Sequence, residues 1–418
     1  MTADTYVIVG ASLAGAKAAE TLRAEGFDGA IVLIGAETER PYERPPLSKD
    51  MLLGKADRSK AFVHEPGWYG EHDVDLRLGS RATTLDRAAR QVRLEDGSAV
   101  GYTRLLLATG AAPRRLPVPG ADLAGLMYLR TLADSEALLA VLRQGGQVVI
   151  AGAGWIGLEV AAAARQAGCA VTVVEPEATP LHRSVGPELG EVFGQLHREH
   201  GVQFRLGESI SELRGDGSGS AAAGQAAGAL RQVLTSGGAT LEADVVLAGI
   251  GAVPNAGLAA DAGLEVDNGI LTDASLRTSD PDIFAAGDVA NAVNPLLGRR
   301  IRVEHWANAL NGGPAAARAM LGQQVSYDRV PYFFSDQYDL GMEAAGVPEP
   351  GGYDQVVYRG EPQSREFVAF WLKSGVVVAG MNVNVWDVSD AIQDLIRSGS
   401  PVDAARLADA DVPLADLA

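Results

Sequence analysis

From Gln147 to Glu175 the chain reads QVVIAGAGWIGLEVAAAARQAGCAVTVVE. The apolar run Val148 to Ile150 feeds into Gly152-x-Gly154-x-x-Gly157, an alanine-rich helix follows, and a second β-branched run ends on an acid, Glu175. Strand, glycine loop, helix and strand in that order make half of a doubly wound α/β domain built to hold a dinucleotide. Gly152 permits the tight turn, Gly154 lets a pyrophosphate approach the backbone, and Gly157 lets the helix lie close on the strand. The helix amino terminus adds unpaired N–H groups and the positive end of its dipole. The carboxylate of Glu175, about twenty residues beyond the loop, stands where it accepts from both ribose hydroxyls. It would repel a 2′-phosphate and no arginine follows it directly, so the pattern favours NADH over NADPH.

A second fingerprint opens the chain. A strand from Tyr6 to Val9 runs into Gly10-x-Ser12-x-Ala14-Gly15, then a helix through Arg23, then a strand Ala30 to Ile34 leading to Glu37. Serine in the middle glycine position is still small enough for a phosphate to approach. Two fingerprints imply two nucleotides. The next segment, Arg40-Pro-Tyr-Glu-Arg44-Pro-Pro-Leu-Ser-Lys49, is stiffened by its prolines, which hold Arg44 and Lys49 on a rigid turn. Two cations there suit a flavin: Arg44 to neutralise pyrophosphate, Lys49 to stabilise the anionic reduced ring. Two solvated surface charges are the plainer alternative.

The composition bounds these readings. With 418 residues and 47% hydrophobic content the chain is globular and multi-domain. Its net charge of −18 opposes binding to nucleic acid or an anionic membrane, so docking to an acidic protein needs a local basic patch. A single cysteine, Cys169, provides neither a disulfide framework nor a thiolate metal cluster, and no metal site is expected. No run reaches the roughly 20 apolar residues of a membrane span, and MTADTYVIVGAS lacks the basic start of a signal peptide, so the expected location is cytoplasmic.

Along the rest of the chain, residues 82–99 suggest a hairpin turning at Asp96-Gly97, and Tyr102 to Ala108 a strand that ends in Thr109-Gly110 and leaves the first domain. Thr131 caps a helix Ala133 to Arg143. Arg183 lies where a loop reaches the phosphates or ribose of the nicotinamide nucleotide, before an amphipathic helix Val185 to His200. Gly215 to Gly228 is Gly/Ala/Ser-rich and is expected to be a surface loop. Leu241 to Ile250 reads as a buried strand that ends in Gly249-Ile250-Gly251. Asp282 to Asp288 (DIFAAGD) brings Asp288 to the start of a further helix, to cap it or to accept from a ribityl hydroxyl. Arg299, Arg300 and Arg302 cluster beside Trp306, and a helix Asn311 to Leu321 tolerates Pro314 only in its first turn. From Tyr327 onward, alternating strands and a helix Val388 to Ser398 indicate a separate mixed domain.

The order of these motifs (first fingerprint, RPPLSK, ATG with Pro-Arg, GAGWIGLE, IFAAGD, VEHW) resembles the FAD-dependent ferredoxin reductases that serve bacterial Rieske dioxygenases and cytochromes P450. The resemblance implies an α/β fold of two Rossmann-like domains. The FAD domain is expected over 1–113 and 241–322, with an inserted NADH domain over 114–240 and a carboxyl-terminal α+β domain over 323–418. It assigns FAD contacts to Gly10, Ser12, Ala14, Gly15, Glu37, Arg44, Lys49, Ala82, Arg130, Asp288 and Trp306, with Thr109 and Gly110 in the adjoining loop. NADH contacts fall to Gly152, Gly154, Ile156, Gly157, Glu159, Glu175, Arg183 and Gly251. Lys49, Glu159 and Trp306 are the implied catalytic groups: Glu159 meets the nicotinamide carboxamide and pairs with Lys49, and Trp306 shields the flavin, lies on the electron path, or simply packs. From its position alone, Glu159 only complements the helix dipole.

The implied reaction is hydride transfer from NADH to FAD, then single electrons to a [2Fe–2S] ferredoxin. The three arginines are the candidate docking patch, with a loop of solvated charges as the alternative. A disulfide reductase of this fold would need cysteine between Arg40 and Lys49, where there is none, and Cys169 fits a small buried residue. Rubredoxin reductase, monodehydroascorbate reductase and apoptosis-inducing-factor-like proteins stay open, as does a flavin-bound signalling protein.

Overall fold

A computed structural model describes residues 4–217, 228–349 and 351–417, and the Gly/Ala/Ser-rich stretch falls, over 218–227, outside the described residues. The chain forms two compact units, Met1–Arg44 with Arg58–Ala112 and Val253–Pro331, and Pro45–Asp57 with Pro113–Ala252 and Tyr332–Ala418.

The first unit is organised on a five-stranded parallel sheet in the order Ile283–Ala285, Arg104–Leu107, Thr5–Val9, Ala30–Ile34, Val74–Arg77. Both faces are buried, which is why these strands read as continuous apolar runs. Successive residues go to opposite cores. Tyr6, Ile8, Leu33 and Leu106 face a cluster with Leu22, Phe284 and Met320. Val7, Val9, Val32 and Leu105 face one with Leu85, Val92 and Leu94. Helices Leu13–Ala24 and Trp306–Met320 supply the first cover, and a small antiparallel sheet, Ala82–Asp86, Gln91–Leu94 and Ala99–Gly101, supplies the second.

The second unit holds another parallel sheet, ordered Gln203–Leu206, Ala170–Glu175, Gln147–Ala151, Val245–Ala248, Leu126–Met127. Its helix Leu132–Leu142 starts at Thr131 in a capping box with Asp134. A five-stranded antiparallel sheet follows, in the order Tyr332–Gln337, Leu340–Gly346, Val376–Val383, Glu366–Lys373, Gln355–Glu361. Its inner face, with Phe367, Trp371 and Val383, shares one core with Leu189 and Phe193 of helix His182–Glu199.

Four expectations differ. Val245–Ala248 pairs with Gln147–Ala151, so residues 241–252 stand in the second unit, because an all-apolar strand carries no mark of which parallel sheet it joins. Residues 45–57 stand there too. Asp288 sits in a single 3₁₀ turn, Gly287–Val289, followed by a strand Ala290–Asn294 and no helix. The helix expected from Asn311 begins at Trp306, so Pro314 lies in its interior. Beside it, a Cβ on Gly313 would stand 2.2 Å from the Ala14 carbonyl oxygen, so close packing on the first fingerprint helix offsets the hydrogen bond that proline removes.

Candidate functional site

Each unit carries one glycine-lined strand-to-helix turn. In the second unit Gly152 has φ +96° and a Cβ there would lie 2.5 Å from the Gly249 carbonyl oxygen. On Gly157 a Cβ would lie 2.2 Å from the Gly152 oxygen, so helix Trp155–Gln166 is pressed against its own loop. Gly154 is different. It is the N-cap residue, with φ −77° and ψ 179°, it makes no side-chain cap, and a Cβ would meet nothing within 4 Å. An uncapped helix start facing open space is the geometry a diphosphate needs, so these residues fit a dinucleotide. Next to it Ile156 is 44% exposed, an apolar surface at the mouth of the turn.

Glu175 ends the second strand, but both its oxygens are already in use. Oε2 accepts from Ala153 N at 2.7 Å and Oε1 from Glu177 N at 2.9 Å. Each oxygen keeps a further lone pair for a ribose hydroxyl. Arg183, the second residue of helix His182–Glu199, is exposed and pairs with Glu177 at 2.7 Å. Glu177 thus adds a second acid to this rim and occupies its arginine. Gly251, with φ +99°, accepts from Arg114 N at 2.9 Å. The backbone N–H of Arg130 donates to Asp134 Oδ2 just before the capped helix.

Deeper in this unit Glu159 is 5% exposed and sits at the centre of a polar knot. Lys49 Nζ meets Glu159 Oε1 at 2.5 Å, and the side chains are 12% and 5% exposed. Ser48 Oγ donates to Oε2 at 2.5 Å and Ser335 Oγ to Oε1 at 2.7 Å. A buried carboxylate with a lysine and two hydroxyls is charged and held in one orientation. Ser48 and Ser335 escaped the sequence reading because nothing in a lone serine marks its partner.

In the first unit Gly10 has φ +122°, and Cβ atoms on Gly10 and Gly15 would stand 2.0 Å from the oxygens of Ala108 and Gly10. Ser12 is the N-cap residue without a side-chain cap, its hydroxyl turned to the Tyr42 carbonyl at 3.4 Å. This helix start therefore also fits a diphosphate. The Ala14 side chain is buried against Gly287, and its backbone N–H lies in the first turn of helix Leu13–Ala24. Glu37 accepts from Tyr42 Oη and, at 2.9 Å, from Arg44 Nη2. Burial works against the Arg44 charge, but Tyr42, Glu37 and Asp288 outweigh it and push the guanidinium up. Arg44 is thus tied to the acid expected at the ribose, and not held out for pyrophosphate alone. Thr109 Oγ1 donates to the Asn255 carbonyl at 2.8 Å, Gly110 turns with φ +67°, and Ala82 stands opposite Leu94 in the small sheet. Trp306 Nε1 donates to Glu43 Oε2 at 3.0 Å. Beside it His305 is partly buried and pushed down to about 4 by that burial, against the opposing pull of Asp288. Neither Glu43 nor His305 was singled out in the sequence.

The arginine cluster does not form as expected. Arg299–Arg302 is a strand paired with Ala290–Asn294, so successive residues face opposite ways. Arg302 is 12% exposed and donates to Glu304 and the Asp288 carbonyl. Arg300 turns to the carbonyls of Thr272 and Asn291 at 2.6 and 3.1 Å, and Arg299 is exposed. Cys169 is buried, with Sγ 3.3 Å from the Leu142 carbonyl, and burial pushes its thiol up, as suits a packing residue.

Two such turns, with the antiparallel sheet after them, match known proteins along the whole chain. Residues 4–313 match the pyridine nucleotide-disulphide oxidoreductase family, and residues 332–418 the reductase C-terminal family. The chain belongs to the pyridine nucleotide-disulphide oxidoreductases. It is 43% identical over 415 residues to the ferredoxin–NAD(+) reductase component of the anthranilate 1,2-dioxygenase system of Burkholderia cepacia, covering 99% of each chain. It is 38% identical to putidaredoxin reductase of Pseudomonas putida, covering 99% of this chain and 96% of that one. A solved covalent putidaredoxin reductase–putidaredoxin complex superposes with a TM-score of 0.92 at 38% identity, over 98% and 97% of the two chains. Among the described residues of this oxidoreductase no helix is long and apolar enough to cross a membrane.

Proposed function

We propose that this oxidoreductase is an NADH-dependent, FAD-containing ferredoxin reductase that supplies single electrons to a [2Fe–2S] ferredoxin, and through it to a Rieske dioxygenase or a cytochrome P450. The observation that carries the reading is the pair of uncapped helix starts, at Ser12 and Gly154, in a chain whose relatives are reductases of this kind. FAD would lie on the first turn, among Gly10, Ser12, Ala14, Gly15, Glu37, Arg44, Ala82, Thr109, Gly110, Asp288 and Trp306 of the first unit, while Lys49 and Arg130, in the second unit, are assigned to it by the family resemblance alone. NADH would lie on the second, with Gly152, Gly154, Ile156, Gly157, Glu159, Glu175, Arg183 and Gly251. The cofactors supply hydride acceptance and one-electron release.

The protein's own groups do the rest. The helix start at Gly154 binds the diphosphate, and Glu175 and Glu177 disfavour a 2′-phosphate, so NADH is preferred. The Lys49–Glu159 pair, dry and doubly hydrogen-bonded, holds a carboxylate ready for an amide N–H and a fixed positive charge beside it. Arg299 and Arg300, on opposite faces of a strand at the margin of its sheet, flank the basic edge offered to an acidic ferredoxin, with Arg302 reduced to bracing the strand. A cytoplasmic setting, where NADH is at hand, completes the reading.

The test is direct. The purified protein is expected to be yellow, to bleach with NADH much faster than with NADPH, and to reduce cytochrome c only when a [2Fe–2S] ferredoxin is added. A colourless protein that takes up no FAD, or a flavin that ignores NADH, would end it. Arg299→Glu with Arg300→Glu should raise the ferredoxin concentration for half-maximal turnover and leave NADH–ferricyanide turnover alone; unchanged ferredoxin dependence removes the docking edge.

A further inference from the structure

Strand Tyr332–Gln337 opens the carboxyl-terminal sheet, and its two-residue period sends Ser335 and Gln337 inward, each 1% exposed, while Asp336 between them faces out. Both inward residues are polar, and Gln337 sits against a third buried polar group, His197, 0% exposed on helix His182–Glu199. Burying three such groups is costly unless each finds a partner. They are joined end to end: His197 Nε2 to Gln337 Oε1 at 2.8 Å, Gln337 Nε2 to Ser335 Oγ at 3.1 Å, Ser335 Oγ to Glu159 Oε1 at 2.7 Å.

The chain runs one way. An ionised Glu159 only accepts, so the single Ser335 hydrogen is spent on it. The Ser335 oxygen must then accept, which turns the Gln337 NH₂ toward it and the Gln337 carbonyl toward His197. A flipped Gln337 would set its oxygen against a serine oxygen with no hydrogen left. The carbonyl in turn requires the proton on His197 Nε2. Burial pushes His197 down to about 4, so the ring is neutral near pH 7, and Nδ1 makes no hydrogen bond among the described residues. Successive donors aligned toward one carboxylate polarise each other.

The carboxylate that ends this chain has about four in-plane acceptor positions. Lys49 and Ser335 take two on Oε1 and Ser48 takes one on Oε2, which leaves one open to a donor from outside. Building on the assignment of Glu159 to the nicotinamide carboxamide, we propose that Ser335, Gln337 and His197 are positioning residues that lock the Glu159 carboxylate so that its last acceptor site meets the carboxamide N–H. The carboxyl-terminal sheet thereby becomes part of the dinucleotide site.

The test uses the holoflavoprotein and the hydride-inert analogue 1,4,5,6-tetrahydro-NADH, its dissociation constant read from the flavin absorbance change. Losing one hydrogen bond to a charged group should weaken the analogue about tenfold in Ser335→Ala, and losing the next one out about threefold in Gln337→Met. In a Glu159→Gln background both losses should shrink to less than about twofold, since partners acting through one group are not additive. Ser335→Thr and His197→Gln, which keep a donor in place, should stay within about twofold of the parent. Equal losses in both backgrounds, or no loss in either single variant while Glu159→Gln alone is weakened, overturn the chain and spare the assignment of Glu159. A Glu159→Gln protein that binds the analogue as the parent does removes the assignment, and the chain with it.

Discussion

Replacing Gly154 by alanine separates a glycine needed by the ligand from one needed by the fold. The residue has φ −77° and ψ 179°, which alanine adopts freely, and a Cβ there meets nothing within 4 Å. The added methyl removes chain entropy from the unfolded state, worth about 0.4–1 kcal/mol, which roughly offsets the about 0.7 kcal/mol lost when alanine replaces glycine at an N-cap. The melting temperature should therefore move by less than about 3 °C. In the complex the same methyl stands where a diphosphate oxygen must approach the first-turn N–H groups. Losing one charge-assisted hydrogen bond of about 1.5–3 kcal/mol predicts a KM for NADH raised roughly 10- to 150-fold. Because the diphosphate is bound alike in ground and transition states, kcat should hold. Gly152→Ala is the contrast: φ +96° and a backbone oxygen at 2.5 Å force the loop to move, so this variant should lose several degrees of melting temperature before any kinetic effect is read. Steady-state NADH–ferricyanide kinetics and thermal melts on both variants decide the matter. A Gly154→Ala enzyme with the parent KM would show that no dinucleotide lies on this helix start.

Three other outcomes follow from the same geometry. Lys49→Met leaves the Glu159 carboxylate buried without its counter-charge, and breaking such pairs costs about 3–5 kcal/mol, so its melting temperature should drop further than that of the double variant Lys49→Met with Glu159→Leu, in which no orphaned charge remains. His197, fully buried, and His305, partly buried, are both pushed down to about 4 against an unfolded value near 6.5. Below the unfolded value the unfolded chain binds protons that the native one refuses, so their stabilisation is complete above pH 6.5 and falls away as the pH drops toward 4, by up to about 3 kcal/mol each. His197→Gln should flatten the melting-temperature decline across that window; an unchanged slope would show that His197 does not titrate differently on unfolding. Glu177→Gln should free Arg183 from its partner and lower the KM for NADPH by about fivefold or more with little change for NADH, and a NADPH constant that stays put would show that Arg183 does not reach the 2′ position.

Both fingerprints were legible because each rests on local signals that reinforce one another: an apolar strand, glycines at fixed offsets, a helix, a terminal acid. The Thr131 cap was legible for the same reason, with its whole capping box inside four residues. Errors arose where one signal stood for two structures. Val245–Ala248 is as apolar as any strand of the first sheet, and only its partner Gln147–Ala151 says where it belongs. Asp288 after a short strand looks like a helix cap, but the chain spends one 3₁₀ turn there and returns to strand. Three arginines in four residues look like a patch until strand pairing turns Arg302 inward.

The polar knot around Glu159 was half legible, and the division follows from distance along the chain. Lys49 and Glu159 sit inside motifs that drew attention for other reasons, so their pairing could be expected before it was seen. Ser48, Ser335, Gln337 and His197 carry no such mark: Ser48 and Ser335 lie 111 and 176 positions from Glu159, and Gln337 lies 140 from His197. What selects these residues is a demand created only by folding. Once Glu159 is placed on a helix that packs beneath a second sheet, it is a charge 5% exposed to water, and every neighbour able to donate is favoured over an apolar one by the cost of leaving that charge unmet. A serine at 335 then creates the same demand one step out, met by Gln337, and Gln337 one more, met by His197. Ser335, Gln337 and His197 are thus the successive terms of a single electrostatic debt that starts at Glu159, and the chain stops at His197 because a neutral imidazole can leave Nδ1 bare at far lower cost than a carboxylate can be left alone.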